Sequence, residues 1–157
     1  MSLLAQNKKA SFEYEILEKF EAGLVLFGHE VKALREGNAS LKGSFISIKR
    51  NAGKVELFLV NCQISPYKNA GSMPDYNPKR ERKLLLKKRE IDYLNGKSQV
   101  EGLTLIALRI YTNHSFLKLE FALAKGKKKY DKRESIKKRD IERDLRTLTK
   151  RSFKKVE

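Results

Sequence analysis

Apolar and polar residues alternate over residues 11–17, with Phe12, Tyr14 and Ile16 on one side and Ser11, Glu13 and Glu15 on the other. A period of two is the signature of a half-buried antiparallel strand. Over 30–36 the spacing becomes helical, and Gly37 supplies a C-terminal stop. Two more strands are predicted over 45–49 and 55–62, with Asn51-Ala52-Gly53 as the hairpin loop between them. Residues 66–78 lack periodicity and carry Gly71, Pro74 and Asn77, which predicts an exposed loop. A short helix is predicted over 87–95, burying Ile91 and Leu94 before Gly96 ends it. Residues 103–111 and 116–123 then predict a long hairpin turning at Thr112-Asn113-His114-Ser115. Leu117, Leu119, Phe121 and Leu123 share one face of its second strand, and Phe116, Lys118, Glu120 and Ala122 share the other.

At least five strands, mostly local pairings and few helices predict a mainly β domain. A small closed antiparallel barrel is the expected form, because closure removes exposed sheet edges. The chain has 157 residues, 40% of them hydrophobic, which suits one real core with an appendage. The expected division is a β-barrel domain over 1–124 and a basic tail over 125–157.

Charge sharpens that division. The chain carries 35 Lys and Arg against 19 Asp and Glu, a net charge of +16. Residues 125–157 alone hold 15 basic against 6 acidic residues. Charge so concentrated cannot enter a core, and it repels itself unless a polyanion neutralises it. Asp131 followed by Glu134 has the form of a capping box, and Glu134–Lys138 and Glu142–Arg146 are favourably ordered pairs one turn apart. The apolar stripe of Ile141, Leu145 and Leu148 is too narrow to hold a helix on a core. A tail that is mobile alone and helical when bound is expected; a permanently disordered solubility tail is the alternative.

A second basic cluster spans 79–89, where seven of eleven residues are Lys or Arg around Leu84-Leu85-Leu86. Arg82, Lys83 and Lys87 there are candidate contacts to an RNA backbone. The plainer alternative is gatekeeper charge around a sticky strand. Two basic regions in one small chain favour nucleic acid, RNA above all, as partner.

Other function classes find little support. No apolar run approaches the roughly 18 residues that span a bilayer, and residues 1–9 do not resemble a secretory signal. No membrane partner is expected. Cys62 is the only cysteine, so no internal disulfide forms, and a reducing, cytoplasmic location is expected. In its alternating strand Cys62 reads as a small buried apolar residue. His29 near a helix start and His114 in a turn have no neighbours that suggest a triad or metal site. No phosphate-binding glycine loop or paired-cysteine motif occurs. A binding protein without catalytic residues, cofactor or metal is expected.

Several blocks in order now invite comparison: Asn7-Lys8-Lys9-Ala10 with Tyr14, Phe20-Glu21-Ala22-Gly23, Glu30-Val31-Lys32-Ala33-Leu34-Arg35, Arg82-Lys83-Leu84-Leu85-Leu86, and Ala124-Lys125-Gly126-Lys127-Lys128 with Asp131-Lys132-Arg133. Together they closely resemble the small protein B family, the SsrA-binding proteins of bacteria, over nearly the whole chain. The resemblance implies an oligonucleotide-binding-fold barrel with outer helices and a basic tail. It also implies binding of transfer-messenger RNA and its delivery to ribosomes stalled on broken messages, the process of trans-translation.

Carried over position by position, the resemblance implies RNA contacts at Glu21, Leu85 and Lys118. Lys87 stands where the family usually has Asn or His, and would act as a phosphate contact. The tail, through Lys125, Gly126, Lys127, Lys128, Tyr130, Asp131, Lys132 and Arg133, would enter the empty decoding site and message channel of the small ribosomal subunit. An elongation factor is implied as a partner through the RNA complex, and no DNA is expected. A general single-strand-binding barrel stays open as the competitor; it would need exposed aromatic stacking platforms.

Overall fold

The computed structural model describes residues 1–127, 133 and 136–147. In chain order the elements are β1 (Ser2–Gln6), α1 (Ala10–Glu13), β2 (Tyr14–Leu24), α2 (Gly28–Arg35), β3 (Ala39–Ser40), β4 (Phe45–Asn51), β5 (Lys54–Val60), β6 (Gln63–Ile64), β7 (Arg82–Leu85), α3 (Lys88–Ser98), β8 (Leu103–Asn113) and β9 (Phe116–Gly126). The protein is mainly β with short helices.

Turn chemistry sets the strand register. Ala52 and Gly53 both take positive φ, 51° and 80°, the two-residue geometry whose twist matches a hairpin, and Asn51 faces Lys54 across it. β8 and β9 turn at His114 and Ser115 and pair from Asn113–Phe116 to Leu103–Lys125. α2 stops where expected: Gly37 at φ 80° bonds to the Leu34 carbonyl, and Asn38 to that of Ala33, at 3.0 Å each. That pair of bonds closes the helix only with a left-handed residue at Gly37.

Seven strands form one antiparallel sheet in the order β1-β8-β4-β5-β7-β2-β9, and β8 also pairs with β9. The sheet therefore curls round to meet itself, but it is not the regular closed barrel expected. β4 meets β8 through the single pair Phe45–Ile106, and β1 pairs with residues 109–112 farther along β8. The four-residue β7 meets β5 and β2 through two pairs each.

The main core fills the inside of this curl, with Leu57, Leu59, Leu84, Ile110, Leu119 and Phe121 among its buried residues and Leu34 of α2 and Leu94 of α3 closing it. A smaller cluster of Ala10, Ile106, Leu108, Ala122 and Ala124 lies under α1, Tyr14 and Ile16. Both faces of β9 are thus covered near its end. β9 runs on to Gly126, which pairs with Tyr14, while Lys125 pairs with Glu15. The strand passes the expected boundary at residue 124 by two residues.

Three local expectations are corrected. Residues 11–13 are not strand but belong to α1, since the amides of Phe12 and Glu13 bond to the Lys9 carbonyl at 3.1 and 2.9 Å. Asn7 anchors that turn, its amide on the Leu108 carbonyl at 2.7 Å and its side chain on that of Ala107 at 3.2 Å. Gly96 does not end α3, which continues to Ser98. β1 was not foreseen at all. The chain divides into two compact units, Met1–Gly126 and Lys127–Glu157. In the second, residues 136–147 are helical with exposed side chains.

Candidate nucleic-acid interface

Register places three of the expected contact residues side by side. Gly23 of β2 faces Leu85 of β7 on one side and Lys118 of β9 on the other. Directly opposed residues project to the same face of a sheet, so Leu85, Gly23 and Lys118 form a row across three strands. Leu85 is 55% exposed although its neighbour Leu84 is in the core. Lys118 has no ion pair among the described residues.

Glu21 lies two residues before Gly23 and hence on the same face. It directly faces Glu120, a like-charged juxtaposition that would be repulsive unless neutralised. Arg109 clamps Glu120 with Nη2 at 2.8 Å and Nε at 3.0 Å, and Lys19 lies 3.8 Å from it. Among the described residues no cation pairs with Glu21; the Tyr111 hydroxyl donates a hydrogen bond to its Oε2. Burial, then the bond to Glu21, pushes the Tyr111 hydroxyl up to about 12, so it stays a proton donor at neutral pH. The exposed Glu21 keeps Oε1 available as an acceptor.

Arg82 is corrected. It is wholly buried and cannot meet a phosphate. Its Nε donates to Glu30 Oε2 at 2.6 Å, and its terminal nitrogens reach the carbonyls of Cys62 (2.7 Å), Pro78 (3.0 Å) and Arg80 (3.1 Å) and the Tyr76 oxygen (3.1 Å). Arg80 bonds to Glu30 Oε1 through Nη2 and, at 3.1 Å, through Nε. Burial alone would raise the Glu30 carboxyl, but hydrogen bonds from Arg80, the Phe27 amide and Arg82 outweigh it and hold it below its ordinary value. This knot ties α2, the loop before β7 and β7 itself together. Residues 66–78 are mostly exposed, as expected of a loop, and half-buried Tyr76 ties them to this knot.

The other cations stay outside. Lys83 is exposed and bridges to Glu56 at 3.2 Å. Lys87 is exposed as the N-terminal flanking residue of α3. Lys125 and Gly126 lie in β9, Lys127 follows it, and Arg133 is exposed and helical. Lys128, Tyr130, Asp131 and Lys132 lie outside the described residues, as do the Asp131–Glu134 capping box, the Glu134–Lys138 pair and Leu148.

Cys62 is buried, which raises its thiol to about 11 and keeps it an inert apolar residue. His29 packs edge-on against Tyr76, with ring centres 4.7 Å apart, and His114 sits in the β8–β9 turn. Among the described residues no three His, Cys, Asp or Glu side chains could hold a metal ion, and no helix is long and apolar enough to cross a membrane.

Comparison with known proteins bears on this face. The family model described as SmpB protein matches residues 4–151. The chain belongs to the SmpB protein family. It is 52% identical over 149 residues to the SsrA-binding protein of Syntrophobacter fumaroxidans, covering 95% of this chain and 89% of that one. It is 50% identical over 153 residues to the SsrA-binding protein of Thermosipho africanus, covering 97% and 99%. A solved structure described as "tmRNA-SmpB: a journey to the center of the bacterial ribosome" contains a similar chain, with a TM-score of 0.64 and 42% identity over 83% of this chain and 92% of that one.

Sequence reasoning missed Tyr111 and Arg109, which organise the SmpB-family face around Glu21 and Glu120. It also missed Glu30, the partner of Arg82. A signal for Arg82 existed: strict alternation puts it on the same side as Leu84, inward, with Lys83 and Leu85 outward.

Proposed function

We propose that this protein binds transfer-messenger RNA and brings it to stalled ribosomes for trans-translation. The observation that carries this is the near full-length likeness to SsrA-binding proteins, at 52% identity over 149 residues. The row of Leu85, Gly23 and Lys118 beside Glu21 supports it physically. A lysine next to an exposed apolar side chain and a carboxylate acceptor suits structured RNA, which is recognised by backbone, 2′-hydroxyls and splayed bases together.

Within that function, Glu21, Leu85 and Lys118 contact the RNA, with Lys83 and Lys87 adding phosphate contacts from the neighbouring edge. The curled sheet acts as an oligonucleotide-binding-fold body. The domain that ends with β9 at Gly126 binds RNA, and the basic tail from Lys127 on becomes helical as it enters the decoding site and message channel. The protein works in the cytoplasm as a binding protein rather than an enzyme, and an elongation factor joins it through the RNA.

Translation of a message lacking a stop codon, reconstituted with transfer-messenger RNA, tests this function. Peptide tagging is expected only when the protein is added; equal tagging without it would refute the proposal.

A further inference from the structure

Phe116 opens β9 and is 70% exposed, an unusual position for a phenylalanine two residues from a lysine. It shares a face with Lys118, because side chains two apart on a strand project together. With Leu85, Gly23 and Lys118 it lines an open groove of about 320 Å³, backed by Leu24, Leu26, Val31 and Leu117. Gly23 forms part of the wall without a side chain; a Cβ there would stand 3.3 Å from that of Leu85. An isolated exposed aromatic needs no explanation. Here a second exposed apolar side chain, Leu85, and a lysine with no ion pair among the described residues line the same groove.

We propose that this groove is a binding site for one unstacked nucleobase of the RNA, with Phe116 as its stacking face. A base has two apolar faces, a polar rim and a phosphate on its own sugar. Phe116 and Leu85 suit the faces, Lys118 suits the phosphate, and Glu21 on the same sheet face suits an amino or 2′-hydroxyl donor. A protein ligand with +16 on its receptor would have to be acidic, and Glu21 and Glu120 would oppose it across this face. RNA meets the charge with its backbone while presenting base donors to Glu21.

This inference rests on the proposed RNA-binding function, so the test separates the two. Full-length wild type, Phe116→Ala, Phe116→Tyr and Lys118→Ala are titrated against transfer-messenger RNA and an unstructured strand at several salt concentrations, with thermal unfolding recorded for each. Loss of one stacked base weakens binding at least about fivefold. Phe116→Ala is expected to lose that much at every salt concentration with an unchanged salt slope and an unchanged melting temperature, and Phe116→Tyr to restore it. Lys118→Ala should instead lower the slope by about one phosphate contact. If Phe116→Ala binds as wild type while wild type still prefers transfer-messenger RNA, the base site is wrong and the function stands. If Phe116→Ala lowers the salt slope as Lys118→Ala does, stacking is wrong. A wild type that binds both RNAs alike overturns the function and the base site with it.

Discussion

The Tyr111 hydroxyl donates a hydrogen bond to Glu21 Oε2 from β8, across β9, which lies between their strands. The bond holds a carboxyl group on a basic protein's candidate RNA face that pairs with no cation among the described residues. Arg109, 5.0 Å from the Tyr111 ring centre, is committed to Glu120. An RNA donor can then find a fixed acceptor where a mobile side chain would lose entropy on binding.

Tyr111→Phe should therefore act on RNA selectivity. A hydrogen bond to a charged group contributes about 1.5–3 kcal/mol, and part of that will appear as weaker binding to transfer-messenger RNA. Binding to unstructured RNA should change little. Glu21→Gln should show the same selective loss. Gel-shift titrations with both RNAs check this; equal weakening on both would argue against a positioning role.

The same tyrosine has a pH consequence. Its folded value of about 12 lies above its ordinary 10.0, so the neutral hydroxyl stabilises the fold fully below about pH 10. That contribution is lost as pH rises toward 12. Tyr111→Phe should unfold less steeply in this alkaline window when followed by circular dichroism.

Glu30 predicts the opposite limb. Its folded value is lowered, so its stabilisation is present above its unfolded value of 4.5 and lost as pH falls through the lower folded value. Breaking a buried ion pair by removing one partner costs about 3–5 kcal/mol. Urea unfolding of Glu30→Gln and Arg82→Leu at neutral pH should show losses of that order. The gap to wild type should shrink in acid. Arg82→Leu that unfolds like wild type but binds RNA more weakly would restore Arg82 as an RNA contact.

The end of β9 sets where the tail can be cut. Truncation after Lys127 leaves all the β2–β9 pairs, whereas truncation after Ala124 removes the pairs of Lys125 with Glu15 and Leu103 and of Gly126 with Tyr14. The longer product should melt like the full chain, and the shorter one at a lower temperature. The product ending at Lys127 is expected to bind transfer-messenger RNA and to fail in tagging. Tagging at the full-length level would refute the decoding-site role of the tail.

Elements with one buried face were legible from their residues. β4 and β5 alternate because each buries one side, β8 and the end of β9 read as apolar runs because both their faces are covered, and Gly37 marks the end of α2 because only a left-handed residue closes it there. β1 was illegible: Ser2-Leu3-Leu4-Ala5-Gln6 is short and does not alternate, and its strand state comes from pairing with β8 more than a hundred residues away. The Glu30–Arg82 knot likewise joins residues 52 apart in sequence. Arg82 looked like its neighbours in the basic cluster because charge counts take no account of which face a strand residue occupies. The row of Leu85 and Lys118 was named from family likeness, but Phe116 beside it was noted only as one of four residues on a strand face.

One folded RNA is expected to be preferred over others of the same charge density. Competition gel shifts with purified protein, comparing transfer-messenger RNA, ordinary transfer RNA and an unstructured strand at one salt concentration, test it most directly. The expected result is tightest binding to transfer-messenger RNA, with a preference that Glu21→Ala reduces. Equal affinity for all three would contradict it.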